Sequence, residues 1–326
     1  MKMRKIVSSG VLGSDYKDME AELDLWSGID DDAFGCEDIF LVVDSYYVTE
    51  KYLQELGHMR FGNDRTCHLA YVDDLEAFAY PVDVLINYEF YADRAVYEEL
   101  YRQSKVDMPE LLLGVEYAPL RSMFRGIETR TQRKRVENVM ISTGGSDLFH
   151  LSLGIMSEIE SRTMPKSDDV GQNKALFGCT YHVLVGGMNE DKNEIREISS
   201  RISNVVLHES VSDMRSLIGA MDIVVSAAGS TQFEVCACGV PMVTYALADN
   251  QLRGMKALEE RGLAVSIGDV RSFDSPSVSV SDLILKAVDG LATNYERRCE
   301  MGRQMQELID GEGAERIMMR MVRHKN

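Results

Sequence analysis

The stretch Ile223-Val224-Val225-Ser226-Ala227-Ala228-Gly229-Ser230-Thr231-Gln232-Phe233-Glu234 decides the fold. Its apolar run, Ile223 to Val225, reads as a buried parallel strand that stops in small residues and a glycine. Gln232 to Cys238 then reads as a helix. A glycine turn opening a helix at the carboxyl end of a parallel strand gathers backbone N–H groups and the helix dipole, which together attract phosphate. Gly239-Val240-Pro241 closes the helix and starts the next strand, Met242 to Ala246. Asp249-Asn250-Gln251 lies just past that strand, on the same rim. The turn, an acid one helical turn inward (Glu234) and the amide pair together read as a nucleotide-sugar site.

The same βα pattern extends on both sides. Upstream, Val139 to Thr143 reads as a strand and Gly144-Gly145-Ser146-Asp147 as a turn into a helix from Leu148 to Ile159. The glycines allow close backbone approach to a ligand, and Ser146 or Asp147 can cap the helix. Tyr181 to Val185 is a strand ending in Gly186-Gly187, Ile195 to Ile202 a helix, and Val205 to His208 a short strand before Val211-Ser212-Asp213-Met214. Downstream come a strand from Gly262 to Ile267 and amphipathic helices at Asp282 to Leu291 and Asn294 to Arg323. In the amino-terminal part, Lys5 to Val7 reads as a strand and Asp15 to Leu23 as a helix. Ile39 to Asp44, His68 to Val72 and Val82 to Asn87 read as strands, with a helix from Thr49 to Leu56. Asp44, Asp73 and Asn87 finish those strands and place polar groups along one rim, although each alone is the kind of residue that serves as a turn or cap. The basic stretch Arg130 to Arg135 reads as a solvated linker.

The expectation is an α/β protein of two Rossmann-like domains facing across a cleft, residues 1–130 and 131–326. A chain of 326 residues is long enough for two such cores. The net charge of −18 argues against a nucleic-acid or anionic-membrane surface, so an anionic ligand must be held by local amides and dipoles. The six cysteines include no CxxC pair, and Cys236-x-Cys238 falls in a predicted helix, where positions i and i+2 point apart. Reduced thiols, a cytoplasmic location, a monomer, no metal and no cofactor are expected. No run approaches a membrane span.

Several segments carry a resemblance: Val42-Val43-Asp44-Ser45-Tyr46, Val72-Asp73-Asp74-Leu75, Asp83 to Asn87, Leu113-Gly114-x-x-Tyr117-Ala118-x-Leu120-Arg121, Gly144 to Asp147, and Gly229 through Gln251. In order and spacing the chain resembles the nucleotide-sugar hydrolases of pseudaminic acid biosynthesis, known in spore-formers as spore-coat polysaccharide proteins. These are relatives of the lipid II-forming N-acetylglucosaminyltransferase, with its glycosyltransferase B fold. The resemblance implies hydrolysis of a UDP-linked diacetamido-trideoxy sugar, with UDP on the second domain. Glu234 would bond the ribose, Gly145, Ser146, Ser230 and Thr231 the diphosphate, and Leu207 to Val211 the uracil edge. Asn87, Tyr117, Arg121 and Gln251 would contact the sugar. Tyr46 and Asn250 would stand at the reacting centre, and the last helix would pack back on the first domain.

The family opens with Gly-x-Gly-His-x-x-Arg, whose histidine activates water, and this motif is not in the sequence. The expectation is therefore a first domain without its initial βαβ unit, through a shortened chain or a relocated base. None of His58, His68, His150, His182, His208 and His324 stands in a glycine-rich turn at the amino end. A glycosyltransferase of the same fold and a non-catalytic UDP-sugar binder are the alternatives.

Overall fold

The computed structural model describes residues 39–58, 60–61, 65–163 and 178–323, and the predicted strand at 5–7 and helix at 15–23 lie outside them. The chain divides into two compact units: residues up to Tyr117 together with those from Glu315 onward, and Ala118–Ala314.

The first unit contains β1 (Ile39–Val43), α1 (Glu50–His58), β2 (Arg60–Phe61), β3 (Arg65–Val72), β4 (Val84–Asn87), α2 (Arg94–Arg102) and β5 (Glu110–Leu113). Leu111 to Leu113, unassigned from the sequence, is β5. Its sheet runs β1-β3-β4-β5, all parallel, with β2 antiparallel to β3. Side chains alternate across it with the period of two that a strand imposes. Leu69, Tyr71, Leu85 and Leu111 face Leu53 and Leu56 of α1 and Tyr97 and Tyr101 of α2. Ala70, Val84, Ile86 and Leu112 face Ile317 and Met321 of the last helix. Burial on both faces is why these strands read as continuous apolar runs.

The second unit contains β6 (Asn138–Ser142), α3 (Leu151–Thr163), β7 (Thr180–Leu184), α4 (Lys192–Arg201), β8 (Val205–His208), α5 (Met214–Ala220), β9 (Ile223–Ala227), α6 (Thr231–Ala237), β10 (Met242–Ala246), α7 (Asp249–Glu260) and β11 (Val265–Asp269). It closes with α8 (Pro276–Thr293) and α9 (Tyr295–Leu308), and α10 (Gly313–Arg323) follows. The sheet order is β11-β10-β9-β6-β7-β8, all parallel. After β6 the chain builds outward through β7 and β8, then returns to place β9 on its other side. The order therefore reverses between β6 and β9, the position where open α/β sheets bind ligands beyond their carboxyl ends.

Three expectations change. The helix read from Leu148 begins at Leu151, because Asp147 and His150 adopt positive φ (49° and 53°) and hold the chain out of helical geometry. The single helix read over Asn294 to Arg323 is two helices, broken where Gly311 takes φ 81° against the Phe124 carbonyl. The segment 130–135 is largely exposed, as expected, but it is no linker, because it lies within the second unit and is bonded to it. Gln132 is buried and donates to the Gly239 carbonyl, and Arg130 and Arg133 bond carbonyls at 219–221 and pair with the buried Asp222. Charge density alone does not reveal that the carbonyls ending α5 need these donors. Among the described residues no helix is long and apolar enough to cross a membrane.

Candidate functional site

The carboxyl ends of β6 and β9 frame a cavity of about 370 Å³. One wall is Ser142 to Phe149 and the other Ser226, Ala227 and Gly229 to Thr231, with Leu247 and Gln251 completing it. The two glycine turns singled out from the sequence therefore meet in one place. Gly145, Ser146, Ser230, Thr231 and Gln251 line the cavity. Asn250, Glu234, Leu207 and Val211 do not.

Local structure fixes each wall. Gly186, following β7, lies so close to the first turn that a side chain there would meet the Gly145 carbonyl oxygen at 2.2 Å. The Met188 N–H donates to that same oxygen (3.0 Å), so the turn is backed by a second loop. Asp147 is buried, and its carboxylate accepts the Leu151 and Ser152 N–H groups (3.0 and 2.8 Å) at the start of α3. Those amides are thereby satisfied, as in an ordinary N-cap. On the other wall Ser230, the N-cap of α6, makes no side-chain capping bond. Gln251 accepts the Leu247 N–H through Oε1 (2.8 Å), which orients its amide NH2 toward Gly229.

Glu234 sits one turn further along α6. Its Oε1 accepts from Arg121 Nε (3.1 Å) and Nη2 (2.7 Å). Arg121, expected at the sugar, is thus anchored on the second unit, with its guanidinium 5.5 Å from the Phe124 ring centre. Leu207 lies on the edge strand β8 and Val211 in the loop before α5. Beside them His208 Nε2 lies 3.0 Å from His182 Nδ1, and His182 Nε2 3.1 Å from Asn138 Oδ1. Burial lowers the pKa of both imidazoles, and His208 adds to this at His182.

The rim of the first unit holds a different chemistry. Tyr46 is exposed and donates to Asp74 Oδ2 (2.6 Å). It lines a small cavity with Asp44, Asp73, Asp74, Tyr88 and Glu89. Asn87, expected at the sugar, is fully buried, its amide donating to Tyr97 Oη and accepting the Glu89 N–H. Asp73 is likewise spent on Tyr80 and Tyr97 hydroxyls (2.8 and 2.7 Å) and on the Leu75 and Glu76 N–H groups. Tyr117 packs against the apolar face that α10 covers.

Sequence reasoning passed over Glu89. Burial, with the Asp74 charge adding to it, pushes its carboxyl up to about 7, in the range useful for proton transfer. Because the folded-state value exceeds the ordinary 4.5, the unfolded chain gives up this proton first. The first unit is therefore expected to lose stability as pH rises from about 4.5 to about 7. Glu89→Gln should shrink that loss in urea titrations at pH 5 and 7.5; an unchanged loss removes Glu89 as its source. Among the described residues no cluster of three or more His, Cys, Asp or Glu is arranged to hold a metal ion.

No family model matches the chain. The chain is 28% identical over 157 residues, 45% of its own length, to a UDP-N-acetylglucosamine–N-acetylmuramyl-(pentapeptide) pyrophosphoryl-undecaprenol N-acetylglucosamine transferase of Bacillus pumilus. It spans less than half the length of the curated relatives it matches, 27% and 41%. Among solved structures it is similar to a UDP-GlcNAc 2-epimerase from Neisseria meningitidis bound to UDP-GlcNAc, with TM-score 0.55, 11% identity and coverage of 94% of this chain and 80% of that one. It is also similar to Acinetobacter baumannii MurG, with TM-score 0.54, 13% identity and coverage of 94% and 77%. The chain has the glycosyltransferase B type of α/β fold.

Proposed function

We propose that the second unit binds the UDP part of a UDP-sugar and that the chain cleaves this sugar nucleotide with water, releasing UDP. The observation that carries the reading is the single cavity lined by both glycine turns where the strand order reverses. Its glycine, serine and threonine lining offers amide and hydroxyl donors to a diphosphate. Such donors matter because the chain's bulk charge of −18 repels an anion. Asp147 already occupies the start of α3, which directs the diphosphate toward Gly144-Gly145 and Gly229 to Thr231.

In the reaction, water oxygen bonds the anomeric carbon, the carbon–oxygen bond to the diphosphate breaks, and UDP leaves with the electron pair. The water's proton passes to a base, and the cavity donors stabilise charge on the leaving group. The resemblance adds a diacetamido-trideoxy sugar as substrate, Tyr46 and Asn250 near the reacting centre, and Gln251 at the sugar. Transfer to an acceptor hydroxyl is the second reading, favoured by the match to the Bacillus pumilus transferase. Calorimetric titration with UDP tests the binding. UDP release without an acceptor supports the hydrolase, release only with one supports transfer, and neither outcome alongside UDP binding leaves a binder. Glu234→Ala should weaken UDP binding by about 1.5–3 kcal/mol, through loss of charge-assisted bonds to the ribose; unchanged affinity removes Glu234 from the site.

A further inference from the structure

We propose, building on the UDP-binding reading, that His150 is a positioning residue whose ion pair with Asp191 fastens the loop after β7 against the Gly144-Gly145 turn and so holds that turn in the shape that receives the diphosphate. The loop is tied to residues 144–150 at successive points. Gly186 packs against the Gly144 and Gly145 oxygens, the Met188 N–H donates to the Gly145 oxygen (3.0 Å), and Asn189 Nδ2 reaches Asp147 Oδ2 at 3.4 Å. The last tie joins His150 Nδ1 and Asp191 Oδ2, 2.6 Å apart. Asp191 is the N-cap residue of α4, where an aspartate ordinarily accepts a bond from its own helix, yet its side chain makes no capping bond. That side chain, 15% exposed, is given to His150 instead. His150 is itself held at positive φ (53°), its N–H on the Asp147 oxygen (2.9 Å), a conformation that persists where surrounding contacts impose it. His150 does not line the cavity, so it acts through the turn. The hydrogen bond and charge of Asp191 raise its pKa above the ordinary 6.5, and Asp147 of its own turn and Glu190 of the facing loop add to this. Lys192, the cation at the loop's end, bonds the Gly187 carbonyl. Because the folded-state value is raised, the tie is complete below pH 6.5 and weakens as pH rises through that value.

The experiment is calorimetric titration of the full chain with UDP at pH 6 and pH 9, for wild type, His150→Asn and Asp191→Asn. Asparagine tolerates positive φ, and Asp191→Asn is isosteric, so neither change disturbs the backbone. The terminal phosphate of UDP titrates with a pKa of about 6 in every case, so the readout is each variant's affinity relative to wild type at the same pH. At pH 6 both variants should bind UDP about three- to fivefold more weakly, the scale of a half-exposed ion pair, and at pH 9 within about twofold of wild type. Without ligand, hydrogen exchange of the Met188 amide should quicken by a similar factor in both variants at pH 6. Equal weakening at both pH values would give the pair a purely structural role and overturn the proposal. Weakening in His150→Asn alone would also overturn it, since the imidazolium would then act on the ligand by its own charge. Unchanged Met188 exchange in both variants would mean that the pair fastens nothing, with the same result. Wild-type protein that binds no UDP would overturn the UDP reading itself, and Met188 exchange would still decide whether the pair holds the loop.

Discussion

Gly186→Ala is expected to lower UDP affinity by about 100-fold or more and to destabilise the second unit, whereas Gly187→Ala one residue later should do neither. A methyl at position 186 would meet the Gly145 oxygen at 2.2 Å, the Gly144 oxygen at 2.5 Å and the Gly145 carbonyl carbon at 2.6 Å. All three are backbone atoms, so no side chain can swing aside. Ordinary contacts of this type begin at about 3.3 Å, so the Gly144-Gly145 turn must retreat by about 1 Å. Displacements of that size cost about two orders of magnitude where several groups act together on a ligand. The Met188 bond to the Gly145 oxygen is lost with the shift, and the overpacking itself costs about 1–3 kcal/mol. At Gly187 an added methyl meets nothing within 4 Å. The comparison therefore separates the close approach from any general intolerance of alanine in this loop. Equal UDP affinity in the two variants would show that the turn does not hold the nucleotide.

What was legible in the sequence was what repeats with a period. β8 and β10 have the expected ends: Asn204 and Glu209 bound the first, and Pro241 marks where the second starts. The two glycine turns could be placed on one rim because parallel strands put all their carboxyl ends on one edge. What escaped was every feature set by a partner distant in sequence. Arg121 and Glu234 lie 113 positions apart, and nothing local to either predicts the pair. Asp73 and Asn87 sit at strand ends as expected, yet tyrosines 80 and 97 draw both inward, since a buried tyrosine hydroxyl needs a partner. The helix break near Gly311 was missed because α9 and α10 are both amphipathic and their pattern bridges the gap. Only the backbone contacts of Gly311 with Phe124 and of Gly313 with Ala118 reveal why the chain must turn there.

Arg298→Met is expected to destabilise the second unit by about 3–5 kcal/mol, although Arg298 does not line the cavity. Arg298 is fully buried, and its guanidinium donates to four carbonyl oxygens: Leu291 (2.6 Å), Ala292 (2.7 Å), Arg133 (2.9 Å) and Lys134 (2.9 Å). The first two belong to the last turn of α8, where carbonyls lack helical partners and the dipole favours a cation. The other two belong to the segment entering β6, so one side chain ties a helix end to the strand that leads to the Gly144 turn. Burial lowers the pKa of the guanidinium, but the four carbonyls supply the negative potential that an isolated buried cation would lack. Methionine fills similar space without donors and takes a donor from each of the four oxygens, of which Leu291 keeps the Asn294 N–H (3.2 Å), each loss costing about 1 kcal/mol or more. Lysine, a point charge with three donors, should recover part of the loss. Two units need not unfold together, so hydrogen exchange of the β6 and β9 amides is the measurement to use. Arg303→Ala, at a half-exposed pair on α9, should change the same amides by at most about 0.5 kcal/mol. Protection in Arg298→Met within 1 kcal/mol of wild type would mean that water reaches those carbonyls and that this corner of the unit is not dry.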